Sequence, residues 1–409
     1  MAVDEMIFDP ADPAILRNPH PIFAWLRQED PVHWSEPMSG WIVTGYDDIL
    51  EALTDSDVYS AERLGNVRKH LPAGAQSSAE EILRYLNSWM VFRDPPDHTR
   101  LRRHMAGVLN LPTFESLRGT VAELTTMLLD QLPDDDVINM LPSFSILLPG
   151  MVVMELMGVD RDRLLEVKSW SDDMMLFIGS ARGVPDKYER AKRGAVSMAT
   201  LFKELIAKRR VDPRDDMLSQ LIASEIDGRG LQDDELVGCL MMVLNGGHET
   251  TANLINNSLL ALAHNPDTLA WLRANPDGME TAVEEFLRYD SPILSVGRMV
   301  KEETELGGKQ LSAGERLFFM LLSANRDEEV FDDPTRLDVT RNPNPHMAFG
   351  KGPHFCLGTP LARIEGQIVL GEIIRRYSSI ELAEPVDNIP WINSLVTRGP
   401  SRIPLRLGK

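Results

Sequence analysis

One loop concentrates the reactive side chains. Residues 348–363, AFGKGPHFCLGTPLAR, place Cys356, one of two cysteines in 409 residues, behind Gly350 and Gly352 and just before Gly358. Spacing tests several chemistries. GKGPHF opens like a dinucleotide-binding fingerprint, but Phe355 stands at the third glycine, and the lysine–serine/threonine ending of a P-loop is missing. Zinc wants about four protein ligands, and Cys356 with His354 falls short. No C-x-x-C-H is present for covalent haem attachment. Two readings remain: a buried structural cysteine, or a thiolate axial ligand to haem iron. The second suits the local chemistry. A cysteine entering a helix receives orphan amides and the positive end of the helix dipole, both of which hold a thiolate. Glycines let the backbone turn around the sulfur and approach a flat macrocycle.

A second stretch, NGGHETTAN at 245–253, sits in the middle of a long helical pattern. It begins like the H-E-x-x-H of a metalloprotease, but Ala252 occupies the second histidine position. It is either a helix with tolerated glycines or a groove from which side chains have been removed. Glu285 and Arg288 are spaced i,i+3 on a helix, the arrangement of an ordinary surface ion pair. His98 and Arg102 are spaced i,i+4 and share a helix face. They form a solvated basic face or a site for anionic groups, for which the arginine fork is suited.

The run Phe349-Gly350-x-Gly352-x-His354-x-Cys356-x-Gly358, followed by Ala362 and Arg363, resembles the haem-binding signature of the cytochromes P450. The other three motifs resemble that family in the same order, and together they cover the chain from about residue 20 to its end. The resemblance implies a mainly α fold with small β-sheets and non-covalent haem b, with Cys356 as its thiolate ligand. It implies that Gly246, Gly247, Phe349, Gly350 and Gly358 adjoin the cofactor. His98, Arg102, Arg298 and His354 would meet its propionates. Glu249 and Thr250 would bind dioxygen and relay protons, an acid–base task. Glu285 and Arg288 would form a buried structural pair that meets the meander before the cysteine loop. Most relatives have alanine at position 246, and the meander carries Leu337 where an aromatic residue is common. The implied substrate pocket draws on segments 60–90 and 165–182, with Met242, Asn245, Ile293, Leu294, Ser295, Leu395 and Val396. Asn245 would hydrogen-bond a substrate or cap a local kink.

The implied reaction is a monooxygenation. One atom of O2 enters an apolar small molecule, with electrons from a separate ferredoxin and ferredoxin reductase. Alternatives on the same scaffold are peroxide-driven or redox-neutral chemistry, or a haem-thiolate sensor; Glu249 with Thr250 favours O2 use. With this fold, the basic run RLRRH at 100–104, with Lys351 and Arg363, would border a face for an acidic ferredoxin; Arg102 would turn inward to a propionate, leaving Arg100, Arg103 and Lys351 to meet the partner.

Helices must position these groups. Periodicity predicts helices at 20–28, 46–55, 94–110, 115–131, 141–158, 161–179 and 187–209, with a break at 183–186. The longest runs from Asp233 to about His264, roughly 45–50 Å at ~1.5 Å per residue, and another covers 278–290. Strands are expected at 40–46, within 293–319 and within 380–408, and residues 60–80 read as a long loop or short broken helix. No repeat or linker is evident, so one haem domain over 1–409 is expected, with about 1–19 as an N-terminal extension and no fused reductase or ferredoxin module. Net charge is −20, from 42 basic and 62 acidic residues. That argues against nucleic acid and anionic membrane as partners. No signal peptide or bilayer-length apolar run is visible. Two cysteines make no disulfide framework, and a reducing cytoplasmic setting is expected.

Overall fold

A computed structural model of the chain describes all residues except 1–7, 10–11, 66–70, 72–73, 134–135, 179–183 and 409. The fold is mainly α with small sheets, as the motifs imply. The chain divides into two compact units. One holds the described residues up to Tyr59, Val121–Leu148 and those from Thr250 on; the other holds Ser60–Thr120 and Pro149–Glu249. Among the described residues, no helix is long and apolar enough to cross a membrane.

The first unit is built around a mixed sheet. Strand Val32–Ser35 pairs antiparallel with Gly40–Val43, which runs parallel to Arg316–Phe319, which pairs antiparallel with Val296–Val300. Helix Tyr46–Thr54 lies against it, burying Ile49 and Leu53 with Val32, Val43, Leu317, Phe319 and Phe331. A hairpin of Thr304–Leu306 and Lys309–Leu311 turns on Gly307 and Gly308, both at positive φ, as a tight two-residue turn requires. Ser379–Leu382, Pro404–Gly408 and Ile138–Asn139 form a second, three-stranded sheet.

Helix Met279–Tyr289 carries the expected Glu285–Arg288 pair, and the pair is fully buried. Arg288 donates to both Glu285 oxygens at 2.8 Å, and to the carbonyls of Asn325, Pro334 and Arg336. Glu285 in return accepts from the Asp338 amide at 2.8 Å and from Asn344 Nδ2 at 3.1 Å. An ion pair taken from water stays favourable only when its remaining donors and acceptors are satisfied, and here the irregular chain from 325 to 344 satisfies them. Leu337 is buried in this segment. Asn325 carries the order onward, its Oδ1 accepting the Met347 amide at 2.6 Å, two residues before Phe349.

The second unit is helical. Leu164–Ile178 packs on Lys187–Val211, and Gln76–Leu86 also packs on that helix. Asp97–Val108 ties to the long helix through an Arg100–Glu235 ion pair. The long helix spans Asp233–His264, with Asp233, Asp234 and Glu235 in its first turn, where the dipole favours acids. Glu235 also accepts the Gln232 amide at 2.9 Å, as the N3 side of a capping box does.

Several sequence-based boundaries shift. The helix expected at 115–131 is two, Leu111–Ser116 and Arg118–Asp130. The one at 141–158 opens with a π-helical turn, Leu141–Ser145, before Leu147–Met157. Part of the 60–80 loop is helix Gln76–Leu86; 66–70 and 72–73, like the start of the expected break at 183, lie outside the described residues. Strand Val32–Ser35 and helix Pro266–Ala274 were not expected from periodicity.

Candidate active site

The cysteine loop is shaped by two glycines in the left-handed region, Gly350 at φ +70° and Gly352 at +69°. Gly352 has a second reason to lack a side chain, because a Cβ there would collide with the Leu53 carbonyl. The Gly350 amide donates to Met347 O at 2.8 Å and the Cys356 amide to Phe349 O at 3.0 Å, closing the turn. Three residues beyond Cys356 begins helix Thr359–Arg376, with proline in its first turn, where a missing N–H costs least. Thr359 Oγ1 donates to the Cys356 carbonyl at 2.8 Å. Cys356 is exposed.

Phe349 is held from three sides. Phe355 meets it edge-on at 6.4 Å between centroids, His346 lies at 6.0 Å, and the Arg363 guanidinium sits 5.4 Å over its ring. Arg363 grips Glu284 with two bonds of 2.7 and 2.6 Å, and His346 Nε2 lies 3.2 Å from the same carboxylate. Burial pushes the Glu284 carboxyl up, but bonds from His346 and Arg363 outweigh it and bring the group down to about 2. Arg363 is thus committed to Glu284 and not held out for a partner protein.

The other cysteine contrasts with Cys356. Cys239 is buried within the long helix, and burial, with the Glu235 charge adding to it, pushes its thiol up to about 12.

Further along that helix the two glycines do different things. A Cβ on Gly247 would meet Val153 Cγ2 at 2.7 Å, so this glycine lets helix Leu147–Met157 come close. Gly150, on the same partner helix, abuts the buried ring of His248. A Cβ on Gly246 would meet nothing within 4 Å, and the residue is exposed. Met242, Gly246 and Thr250 follow at i, i+4 and i+8 and share a helix face. Glu249 and Thr250 are each half-buried.

His98 is buried and Arg102 half-buried, one turn apart on helix Asp97–Val108 of the second unit. Arg298 and His354 belong to the first unit, Arg298 buried on the sheet strand and His354 half-buried in the cysteine loop. Among the substrate candidates, Ser295 is buried with Oγ donating to Leu395 O at 2.5 Å. Leu294 and Leu395 lie in an apolar cluster with Phe8, Phe23 and Leu322. These three are therefore occupied in packing, while alternation leaves Ile293 and Val396 half-buried. Asn245 is also occupied: its amide bonds Ser171 and the Met241 carbonyl. Of the two roles expected for it, the bond to Met241 O fits a local cap. Of the basic run, Arg100 is taken by Glu235, whereas Arg103 is 61% exposed and only loosely placed, 3.9 Å from Asp227. Glu284 and His346 were not singled out in the sequence, and Ser171 only as part of segment 165–182. Glu284 has only its neighbour Glu285 to mark it, and Ser171 has no local signal at all.

The sequence profile of the family described as Cytochrome P450 matches residues 32–403. Cytochrome P450 107B1 of Saccharopolyspora erythraea is 36% identical over 97% of each chain. The 6-deoxyerythronolide B hydroxylase of the same organism is 34% identical over 94% of this chain and 95% of its own. Among solved structures, the bacillaene polyketide synthase cytochrome P450 PksS of Bacillus subtilis matches with a TM-score of 0.89 at 31% identity, over 98% of this chain and 100% of its own.

Proposed function

The chain belongs to the cytochrome P450 family, and we propose that it inserts one atom of O2 into an apolar small organic molecule, with electrons from a separate ferredoxin and its reductase. It is a P450 monooxygenase, and its cofactor is haem with a cysteine thiolate as axial ligand. Cys356 is that ligand in this reading. The observation that carries it is the contrast between the two cysteines: Cys239 is buried with its thiol held protonated, whereas Cys356 is exposed in a glycine-turned loop at a helix N-terminus. A thiolate is favoured near a helix N-terminus, and only the second setting offers one.

Bound there, haem iron supplies reductive activation of O2, with the thiolate's electron push favouring O–O cleavage. The protein's own residues do the rest. Gly350 and Gly352 turn the loop, and Phe349, braced by His346, Phe355 and Arg363, keeps one wall of it apolar. By resemblance to the family, His98, Arg102, Arg298 and His354 are the residues that would hold the cofactor's carboxylates, through charge-assisted bonds. Gly246 leaves its helix face clear. The Glu249 carboxylate would take protons inward, and Thr250 Oγ1 would hold and orient them. Met242, Ile293 and Val396 remain the named candidates for substrate contact. A binding screen would cover terpenoids, fatty acids, steroids, aromatics and polyketides; the Bacillus subtilis neighbour is named for a polyketide synthase. Of the basic residues expected to meet an acidic ferredoxin, Arg100 is paired with Glu235, and Arg103 and Lys351 remain.

The test is spectroscopic. Reduced wild-type protein and Cys239→Ala under CO should both give the strongly red-shifted Soret band of thiolate-ligated haem, and Cys356→Ser should lose it. A wild-type band typical of histidine ligation, or its loss in Cys239→Ala alone, would reject the assignment.

A further inference from the structure

The long helix and helix Leu164–Ile178 share a buried polar contact that no role given above explains. Ser171 Oγ donates to Asn245 Oδ1 at 2.7 Å, and Asn245 Nδ2 donates to the Met241 carbonyl at 2.7 Å. Ser171 is 4% exposed and Asn245 9%. Buried side chains nearby in sequence are mostly apolar, Met174 on one helix and Met241, Met242 and Leu244 on the other, with His248 the buried polar neighbour. A polar link in such surroundings matters, because losing either partner leaves the other buried and unsatisfied.

The position of the link gives it consequence. Met241 O is the carbonyl that the Asn245 amide itself uses in a regular helix, four residues back. A side chain bonding to the i−4 carbonyl shares that acceptor and bends the helix locally. The next two residues are Gly246 and Gly247, the weakest helix formers after proline. The turn entering the glycines is therefore soft, and Ser171 steadies it from outside. Ser171 itself sits on a closely packed helix pair. At Gly194 the backbone of Lys187–Val211 comes so close to Leu164–Ile178 that a Cβ would collide with the Trp170 carbonyl, and Arg190 Nε bonds Asp173 at 2.8 Å.

We propose that Ser171 and Asn245 are positioning residues that fix the course of the long helix at the turn entering Gly246, so that helix Leu164–Ile178 governs how readily that turn opens. The consequence for catalysis rests on the reading of Gly246–Thr250 as the oxygen-binding stretch. A shift of the paired helices would be transmitted through one hydroxyl–amide bond to the residues that deliver protons.

Hydrogen exchange on the haem-loaded enzyme tests this. Ser171→Ala and Asn245→Ala should each speed amide exchange within 241–249 about tenfold, the scale of one buried hydrogen bond, while helix Met279–Tyr289 keeps its wild-type protection. The double variant should exchange no faster than the faster single one, because both remove the same link. Wild-type exchange rates in 241–249 for Ser171→Ala, or additive acceleration in the double variant, would overturn the proposal. Thr250→Ala provides a separate arm: a C–O stretch of the CO complex unmoved in that variant defeats the oxygen-site reading alone, and leaves the exchange result to decide the pair.

Discussion

Replacing each of the adjacent glycines by alanine should have opposite effects. Alanine in a helix interior is favoured over glycine by about 1 kcal/mol. At Gly246 a Cβ meets no protein atom within 4 Å, and alanine is the usual residue beside the cofactor at this position in the family, so Gly246→Ala should keep that gain and unfold at equal or higher denaturant. At Gly247 the same gain is opposed by a Cβ lying 2.7 Å from Val153 Cγ2. Valine on a helix has essentially one χ1 rotamer, so the methyl cannot swing aside and the helices must part. Overpacking of this kind costs about 1–3 kcal/mol. The net effect at Gly247 runs from neutral to about 2 kcal/mol destabilising, which separates the two variants by about 1–3 kcal/mol. Denaturant midpoints of the haem-loaded proteins, with the CO band confirming the cofactor, measure the difference. Val153→Ala opens the space, so Gly247→Ala with Val153→Ala should recover stability relative to the sum of the single changes. Equal stability of the two alanine variants, or strictly additive loss in the double one, would refute the assignment of Gly247 to helix packing.

Thr250→Ala should retain haem while diverting electrons, raising peroxide released per NADH consumed several-fold; fully coupled turnover in this variant would remove the hydroxyl from proton delivery. Glu284 provides a pH signature. Its folded-state carboxyl lies at about 2, below the ordinary value near 4.5, so it contributes stability above pH ~4.5 that is lost as pH falls toward 2. Urea midpoints should therefore drop more steeply between pH 5 and 3 in wild type than in Glu284→Gln, and parallel curves would show that the carboxylate carries no such linkage. Reversing exposed Arg103 or half-buried Lys351 to glutamate, one at a time, should slow ferredoxin-driven reduction several-fold at low salt with substrate affinity little changed, because charges near the surface act mainly on association rate and are screened over ~8 Å at physiological ionic strength. Stopped-flow rates equal to wild type would reject these residues as the docking charges.

Much was legible in the amino-acid order because its causes are local. The Asp233–His264 helix follows from unbroken periodicity and an acidic first turn, and the loop before Cys356 from glycines whose backbone conformations other residues rarely adopt. The spacing Glu285-x-x-Arg288 located a pair, but an i,i+3 pair on a surface reads the same. Only the folded chain supplies the carbonyls of Asn325, Pro334 and Arg336 that bury it. Likewise two adjacent glycines are indistinguishable in sequence; a helix from almost a hundred residues earlier gives Gly247 its neighbour and leaves Gly246 open. Asn245 had unspent hydrogen-bonding capacity until Ser171, 74 residues away, took its oxygen. Arg363 and Arg100 counted as available charge until Glu284 and Glu235 faced them. Conformational preference and capping act over a few residues and are written in the order of the chain. Which polar group is satisfied, which charge is paired and which side chain has room depend on partners far off in sequence, and only the tertiary structure assigns them.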